Sequence, residues 1–272
     1  MKTVSISDIS IAYQEAGGGE VLLLVHGFPL DHTMWSEQVA ALSDEFRVIA
    51  PDLRGFGQTP LSASDQQDPR STVTMRQYAD DLAGLLDALK INEPINFCGL
   101  SMGGYIGWQF AQVYRDRLKR LILCDTKAAA DSAEAADNRH KVAEKVLLHG
   151  SEFLAEALMI KLISDGTATQ FPETVARIRQ MILNAPPTSV AAAQRGMAAR
   201  PDMSDILPQL DLPALVLVGS DDAISPPSEM RGIADVLPQA EFIEIAGAGH
   251  MCPMEKPDEV SAALREFLRR PV

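Results

Sequence analysis

Long hydrophobic runs are absent from this sequence of 272 residues. The longest, "VLLLV" and "ALVLVG", have the length of a strand and fall far short of the roughly 20 apolar residues that a membrane-spanning helix needs. The first ten residues, "MKTVSISDIS", are polar and alternating, so we expect no secretory signal.

Cysteine and positive charge are both scarce. The three cysteines, Cys98, Cys124 and Cys252, are an odd number, which favours free thiols in a reducing, cytoplasmic compartment over a disulfide framework. The 24 Lys and Arg residues against 37 Asp and Glu residues give a net charge of −13. Because an acidic surface repels phosphate groups, we expect neither nucleic acid nor a membrane as a partner.

Familiar cofactor motifs are also missing. The sequence has no H-E-x-x-H pair, no Cys/His cluster at zinc spacing and no G-x-x-x-x-G-K loop. We therefore expect neither a metal nor an organic cofactor. The hydrophobic content of 46% is that of a globular protein.

Apolar runs of strand length alternate with helical patterns in the first half of the chain. "EVLLLVHG", "FRVIAPDLRGFG", "INFCGL" and "LKRLILCDT" suit strands that are covered on both faces. Two alternating stretches, residues 3–7 and 10–14, predict half-buried strands before them. Thr74 with Gln77 three residues later predicts a capped helix start. This α/β alternation predicts a mostly parallel central sheet with helices on both faces.

The alternation stops near residue 126. From there to residue 205 the sequence shows only helical patterns rich in Ala, Leu and Met. Strand-like runs return with "PALVLVGSDD" and "AEFIEIAGAGH", and a final helix is expected at 257–269. We predict a core domain made of residues 1–125 and 206–272, and a helical cap inserted at 126–205.

Ser101 lies in "CGLSMGG", a G-x-S-x-G pattern between a predicted strand and a predicted helix. A sharp turn of this kind lifts the hydroxyl above the strand ends, and Gly99 and Gly103 let the two arms approach. The pattern alone occurs by chance with a probability on the order of 0.1 in a chain of this length. Its place between strand and helix favours a nucleophile over a tight turn.

A nucleophilic serine needs a base, and the base needs an acid to orient it. Of the five histidines, His250 follows the last predicted strand and His26 follows "VLLLV". We expect surface or packing roles for three others, His32, His140 and His149. Asp221, Asp222 and Asp125 each come after a predicted buried strand, and all three are candidate acids.

Together these motifs resemble the α/β-hydrolase family. The elbow matches Gly99–Gly103, a "G-x-x-D-x-x-x-P" loop matches Gly219–Pro226, and a "GxGH" loop matches Gly247–His250. The order Ser, Asp, His is that of the family. "NFCGLSMGG" looks most like the branch of carboxylesterases and 3-oxoadipate enol-lactonases, and lactonases of N-acyl homoserine lactones share the scaffold.

The resemblance implies a nucleophile, a base and an acid. It assigns these roles to Ser101, His250 and Asp222, and its spacing selects Asp222 over Asp221. Asp125 stays open as an alternative acid, since some members of the fold place the acid after the preceding strand.

The resemblance also implies an oxyanion hole. The "HG" turn matches His26-Gly27, so the backbone N–H groups of Phe28 and Met102 are the implied donors. His26 is then a turn residue. We expect Phe28, Met102 and Trp35 to line an apolar substrate pocket together with the cap.

These roles imply a serine hydrolase that cleaves a small-molecule ester or lactone through an acyl-enzyme intermediate, with no cofactor. Esters and lactones present the same carbonyl to the site, so the sequence does not separate them. A perhydrolase or haloperoxidase with the same triad, a C–C bond hydrolase and a non-catalytic ligand-binding relative are the alternatives.

Overall fold

The apolar runs form eight strands in the computed structural model, which describes residues 1–271. The strands are Lys2–Ile6 (β1), Ile9–Ala16 (β2), Val21–Val25 (β3), Arg47–Pro51 (β4), Ile95–Leu100 (β5), Leu118–Cys124 (β6), Ala214–Gly219 (β7) and Ala240–Ile245 (β8). They form one sheet in the order β1-β2-β4-β3-β5-β6-β7-β8. Strand β2 is antiparallel to β1 and β4, and all the other neighbours are parallel.

The order of the strands reverses at β3. The chain first adds β4 on one side of β3, then returns to add β5 on the other side and continues outward through β8. In open α/β sheets the crevice at the carboxyl ends of the strands on either side of such a reversal binds ligands. The segments that follow β3 and β5 therefore meet at the edge of the sheet where a site is expected.

Twelve α-helices are present in the described part of the chain. They are Ser36–Leu42 (α1), Ala63–Gln67 (α2), Met75–Ala88 (α3), Met102–Val113 (α4), Ala133–His149 (α5), Glu152–Leu162 (α6), Asp165–Gln170 (α7), Pro172–Asn184 (α8), Pro187–Ala198 (α9), Pro227–Val236 (α10), Cys252–Glu255 (α11) and Pro257–Leu268 (α12). The Thr74 hydroxyl accepts the Gln77 N–H at 3.1 Å, as the capping pattern predicted. No helix within residues 1–271 is both long enough and apolar enough to cross a bilayer.

The middle of the sheet is covered on both faces. Every residue of β5 and β7 is buried, which requires packing above and below the strands. Helix α1 packs against α12, and α3 packs against α4. The predicted fold class, a mostly parallel sheet with helices on both faces, is confirmed.

Between β6 and β7 the chain forms helices without any strand, as far as the described residues go. Helix α5 packs along α9, and α6 packs against α8. A 3₁₀ helix, Ser204–Gln209, crosses the predicted boundary at residue 205. The division into a core domain and a cap at 126–205 stays a prediction.

Arg54, in the loop after β4, ties three parts of the chain together. Its side chain is only 2% exposed. It donates to Asp81 on α3 at 2.8 and 2.6 Å and to Asp8, between β1 and β2, at 3.0 and 2.8 Å. Burial raises the pKa of Asp81, and the hydrogen bond from Arg54 opposes that rise. The guanidinium of Arg54 thus stabilises the charged form of the buried Asp81 carboxylate.

Arg54→Met is expected to lower the free energy of unfolding by about 3–5 kcal/mol, because it leaves the Asp81 carboxylate buried without a cation. Arg76→Met is the matched control, since Arg76 makes an exposed pair with Asp80 at 2.7 Å. Its loss is expected to stay below about 1 kcal/mol. Urea denaturation followed by circular dichroism measures both, and equal losses would contradict the prediction.

Candidate active site

Ser101 joins β5 to α4 in a strained backbone conformation, with φ 52° and ψ −111°. A non-glycine residue in such a sparsely populated region costs about 1–3 kcal/mol and persists only where its surroundings hold it. Here the Ser101 N–H donates to the Cys124 carbonyl at 2.9 Å, and the Thr126 hydroxyl donates to the Ser101 carbonyl at 2.7 Å. Both contacts come from the end of the neighbouring strand β6.

The two glycines of the elbow are needed for different reasons. A Cβ on Gly99 would lie 2.3 Å from the Gly103 carbonyl oxygen, so the two arms do approach as the pattern predicted. A Cβ on Gly103 would instead lie 2.3 Å from the carbonyl oxygen of Val25, in β3. Gly103 is therefore small because helix α4 starts against a neighbouring strand, which the sequence pattern did not indicate.

The Ser101 hydroxyl is available at the start of a helix. The residue is partly exposed, and its side chain makes no capping hydrogen bond to α4. The first N–H groups of a helix have no partner within it and carry partial positive charge. The Met102 N–H is the first of these.

The turn after β3 lies against the elbow. A Cβ on Gly27 would be 3.4 Å from the Ser101 Cβ, so the "HG" turn and Ser101 are in contact. The Phe28 N–H is one residue farther along this turn. The roles of Phe28 and Met102 as oxyanion donors stay predictions, with both backbones placed beside the serine.

Asp222 and His250 form a buried pair, with 2.8 Å between Asp222 Oδ2 and His250 Nδ1. The two residues follow β7 and β8, which are parallel neighbours, so the sheet brings their loops together. Asp222 Oδ1 accepts the N–H groups of Ile224 at 2.7 Å and Ser225 at 3.0 Å. The Ser225 hydroxyl donates to Oδ2 at 2.8 Å. These local bonds hold the carboxylate toward the imidazole.

Asp222 stays ionised in this setting. Burial acts to raise its pKa, but the charge and hydrogen bond of His250, with the donors of Ser225, outweigh burial and hold the pKa below its usual value. A carboxylate at Nδ1 orients the imidazole so that Nε2 can act as a base. Within residues 1–271 no hydrogen bond joins His250 to the Ser101 hydroxyl, so the structure pairs two of the three predicted groups directly.

Asp125, the alternative acid, lies beside this pair but has other partners. Its carboxyl is fully buried, accepts the Gly219 N–H at 2.8 Å and has the Cys252 thiol 2.7 Å away as a donor. Burial, with the charge of Asp222, raises the pKa of Asp125 well above its usual value. A neutral carboxyl without a bond to His250 does not suit the role of the acid, so the geometry favours Asp222.

Asp221 is exposed and makes no hydrogen bond with the imidazole among the described residues. Its backbone N–H donates to the Ala248 carbonyl at 2.8 Å, and its carboxylate accepts from the Ser220 hydroxyl at 2.9 Å. The spacing argument that selected Asp222 over Asp221 agrees with this arrangement.

The other histidines lie outside the pair. His26 is fully buried, with Nδ1 2.9 Å from the Gly27 carbonyl and Nε2 accepting the Leu53 N–H at 3.0 Å, so both ring nitrogens serve the turn. His140 and His149 are exposed. His32 is not on the surface: it is 8% exposed, and its Nδ1 lies 2.7 Å from Asp52 Oδ1.

The predicted pocket residues differ in exposure. Trp35 and Met102 are fully buried, and Phe28 is partly exposed. The Phe28 ring packs edge-on against Phe56, with 6.2 Å between centroids. Phe28 is thus the pocket candidate with a surface open to a ligand, and the pocket roles of Trp35 and Met102 stay predictions.

Two clusters contain side chains of the types that bind metals. The first is Asp31, His32 and Asp52, and the second is Asp125, Asp222 and His250. In each cluster one potential ligand atom of every residue lies within 4.8 Å of the others. In both clusters a histidine nitrogen bonds directly to an aspartate, and backbone N–H groups occupy further carboxylate oxygens. These hydrogen bonds account for the groups without a cation, and we propose no metal there.

The sequence argument missed Ser225 and Thr126, which hold the acid and the elbow. Ser225 lies inside the matched loop Gly219–Pro226, three residues after Asp222, where a hydroxyl near an aspartate is a typical turn signal. Thr126 follows directly after the β6 strand and its aspartate, and no local pattern marks its contact with Ser101.

Comparisons with known proteins identify the family of this fold. A family model described as the alpha/beta hydrolase fold matches residues 20–257. The chain is 50% identical to a thermophilic esterase from Thermogutta terrifontis (malate bound), with a TM-score of 0.95 over 99% of this chain and 98% of that one. The enol-lactonase from Burkholderia xenovorans LB400 is 29% identical, with a TM-score of 0.89 over 99% of this chain and all of that one.

A relative found by sequence comparison is also an enol-lactonase. The chain is 24% identical over 273 residues to 3-oxoadipate enol-lactonase 2 from Acinetobacter baylyi, which covers 98% of this chain and 96% of the relative. The predicted resemblance is confirmed, and the expectation of an enzyme that hydrolyses ester bonds agrees with these relatives. The chain belongs to the alpha/beta hydrolase fold family.

Proposed function

We propose that this protein is a serine hydrolase that cleaves carboxylic esters or lactones through an acyl-enzyme intermediate. The observation that carries the proposal is the buried Asp222–His250 pair, at 2.8 Å, on the same sheet edge as a strained elbow serine. The esterase and enol-lactonase relatives support the same class of substrate.

In the proposed mechanism, Ser101 Oγ attacks the substrate carbonyl while His250 Nε2 takes its proton. Asp222 keeps Nδ1 protonated and stabilises the imidazolium that forms. The N–H groups of Phe28 and Met102 donate hydrogen bonds to the developing oxyanion, a contribution of about 3–4 kcal/mol for each donor.

The bond between the carbonyl carbon and the alcohol oxygen then breaks, the imidazolium gives its proton to that oxygen, and the carbonyl carbon stays bonded to Ser101 Oγ. Water, deprotonated by His250, then attacks the acyl carbon. The bond from this carbon to Ser101 Oγ breaks, His250 returns the proton to Oγ, and the acid is released. In a lactone the alcohol remains attached to the acyl group, so the same steps open a ring. No step needs a metal or an organic cofactor.

The strained elbow argues against the non-catalytic alternative. A ligand-binding relative gains nothing from a positive φ at Ser101, which costs about 1–3 kcal/mol, or from an ionised carboxylate held at His250. A perhydrolase or haloperoxidase would use the same three groups and differ in the acyl acceptor. We keep hydrolysis as the proposal because the two structural relatives described above are an esterase and an enol-lactonase.

Selection of the substrate belongs to the segment between β6 and β7 in this proposal. We propose that residues 126–205 cover the sheet edge as a cap and that Phe28 contributes the apolar wall beside the serine. The expected partner is a small molecule, and a cytoplasmic location stays a prediction.

Ser101→Ala is expected to lower the hydrolysis of short p-nitrophenyl esters by at least about 10³-fold, because it removes the nucleophile. Ser5→Ala, on the exposed strand β1, is the control and should match the unchanged protein. An organophosphate should label Ser101 alone. Turnover retained in Ser101→Ala with unchanged circular dichroism would contradict the proposal.

A substrate panel separates the remaining activities. Short acyl esters, N-acyl homoserine lactones and an enol-lactone are assayed with and without hydrogen peroxide. We expect hydrolysis of at least one ester or lactone, with free acid as the product. Turnover seen only when peroxide is the acyl acceptor would favour the perhydrolase.

Asp222→Asn is expected to lower kcat by about 10³–10⁴-fold, because the amide has no charge to stabilise the imidazolium and its NH₂ group would face Nδ1 and favour the wrong tautomer. Asp221→Asn, one residue away and exposed, should change kcat by less than about twofold. Steady-state kinetics on one ester measures both. Comparable losses in the two variants would show that the acid has been misplaced.

Asp125→Asn is expected to keep kcat within about tenfold, because an amide imitates a neutral carboxyl and loses at most one ordinary hydrogen bond. Its stability should change with pH in a defined direction. A carboxyl whose pKa is raised by folding stabilises fully below the unfolded value of about 3.9, and this contribution is lost as the pH rises through the folded pKa.

Asp125→Asn has no carboxyl at this position and so loses no stability as the pH rises. The difference between its free energy of unfolding and that of the unchanged protein should therefore rise between about pH 5 and pH 8. Urea denaturation at the two pH values measures the difference. A fall in that difference, or a kcat as low as that of Asp222→Asn, would mean that Asp125 works as an ionised acid.

A further inference from the structure

Glu255, the last residue of α11, is a buried carboxylate that the proposed mechanism does not use. It is 5% exposed. Its Oε1 accepts the N–H of Gly249 at 2.9 Å and the N–H of Met251 at 3.2 Å. These are the residues directly before and after His250, so one carboxylate oxygen holds both sides of the predicted base.

The second oxygen of Glu255 reaches a different part of the chain. Oε2 accepts the N–H of Ser164 at 2.9 Å, in the link between α6 and α7. The Ser164 hydroxyl also donates to the Gly247 carbonyl at 2.9 Å. The Met251 N–H shares its proton with the Leu162 carbonyl at 3.0 Å.

This junction has no spare room. A Cβ on Gly249 would lie 2.7 Å from the Ser164 nitrogen and 3.1 Å from Glu255 Oε1. Leu162 and Ser164 are each only 3% exposed. The histidine loop and the link between α6 and α7 are therefore packed directly on each other through the Glu255 carboxylate.

We propose that Glu255 is a positioning residue that fixes the backbone on both sides of His250 and couples it to the α6–α7 link through Ser164. The proposal rests on the proposed function, in which His250 is the base. Hydrogen bonds to an ionised acceptor are roughly twice as strong as neutral ones, and three N–H groups converge on this one carboxylate.

The coupling gives the helical segment a direct effect on catalysis. Under this proposal, a displacement of Leu162 or Ser164 also displaces the backbone on either side of His250. Since a shift of about 1 Å in a catalytic group can cost about 10²-fold in rate, a movement of the α6–α7 link is expected to lower the rate.

Glu255→Gln tests the positioning role. The amide matches the carboxylate in shape but puts an NH₂ group against an N–H donor. We expect kcat for a p-nitrophenyl ester to fall by about 10- to 100-fold with KM within about threefold. The rate at which a small organophosphate labels Ser101 should fall in parallel. A role limited to anchoring the helices would raise KM and leave both rates unchanged.

Glu259→Gln, an exposed glutamate on α12, is the matched control and should leave kcat, KM and the labelling rate unchanged. Thermal unfolding of both variants shows whether each is folded at the assay temperature, so that a lower rate is not caused by unfolding. Unchanged kcat and labelling in Glu255→Gln would overturn the proposal.

Ser164→Pro tests the coupling while keeping Glu255. The Ser164 φ of −70° and the extended backbone of Ile163 are compatible with proline. The ring takes the place of the N–H donor, so Glu255 Oε2 must move away from the link and the contact between the two segments is lost. Ser164→Ala removes only the hydroxyl and serves as the reference. We expect kcat and labelling at least about fivefold lower in the proline variant than in the alanine variant. Equal rates would overturn the coupling.

The two proposals fail in distinguishable ways. If the unchanged protein neither cleaves esters or lactones nor becomes labelled at Ser101, the proposed function fails. If the unchanged protein is active and Glu255→Gln keeps its kcat and labelling rate, only the role of Glu255 fails.

Discussion

The parallel pairing of β5, β6, β7 and β8 is the constraint on which the site depends. In a parallel ladder every strand ends at the same edge of the sheet, so the residues that follow these strands become neighbours. Ser101, Asp125, Asp222 and His250 each follow one of them in order. Residues separated by more than a hundred positions come together because the strands before them are hydrogen-bonded neighbours in one sheet.

The sheet also supports strain that a short peptide could not hold. The positive φ of Ser101 is maintained by bonds to Cys124 and Thr126, and Gly103 lets α4 begin against the β3 backbone. Strain of about 1–3 kcal/mol is small beside the core that surrounds it. The elbow can therefore present a hydroxyl in one orientation at the start of a helix.

Two buried carboxyls lie side by side at this edge in different protonation states. Asp222 has the imidazole, two backbone N–H groups and a hydroxyl around it, which favour the charged form. Asp125 has only one N–H and one thiol as donors, and its burial, with the charge of Asp222 nearby, outweighs them and favours the neutral form. Because like charges repel strongly away from water, the carboxyl with the imidazole and more hydrogen-bond donors around it is the one that ionises.

The sequence by itself determined the features that depend on a few adjacent residues. These are the strands and their alternation with helices, the Thr74 cap and the turn at Ser101. Each is local, since hydrophobic period, turn residues and loop spacing act over about ten positions.

Only the tertiary structure decided which distant groups touch. In the structure His32 is buried against Asp52, and Gly103 lies against the backbone of β3. The N–H groups of Gly249, Met251 and Ser164 all donate to Glu255. Such contacts depend on the order of the strands and on how the helices between β6 and β7 fold back. No periodicity or spacing in the chain encodes that order, because it follows from packing all the elements into one core.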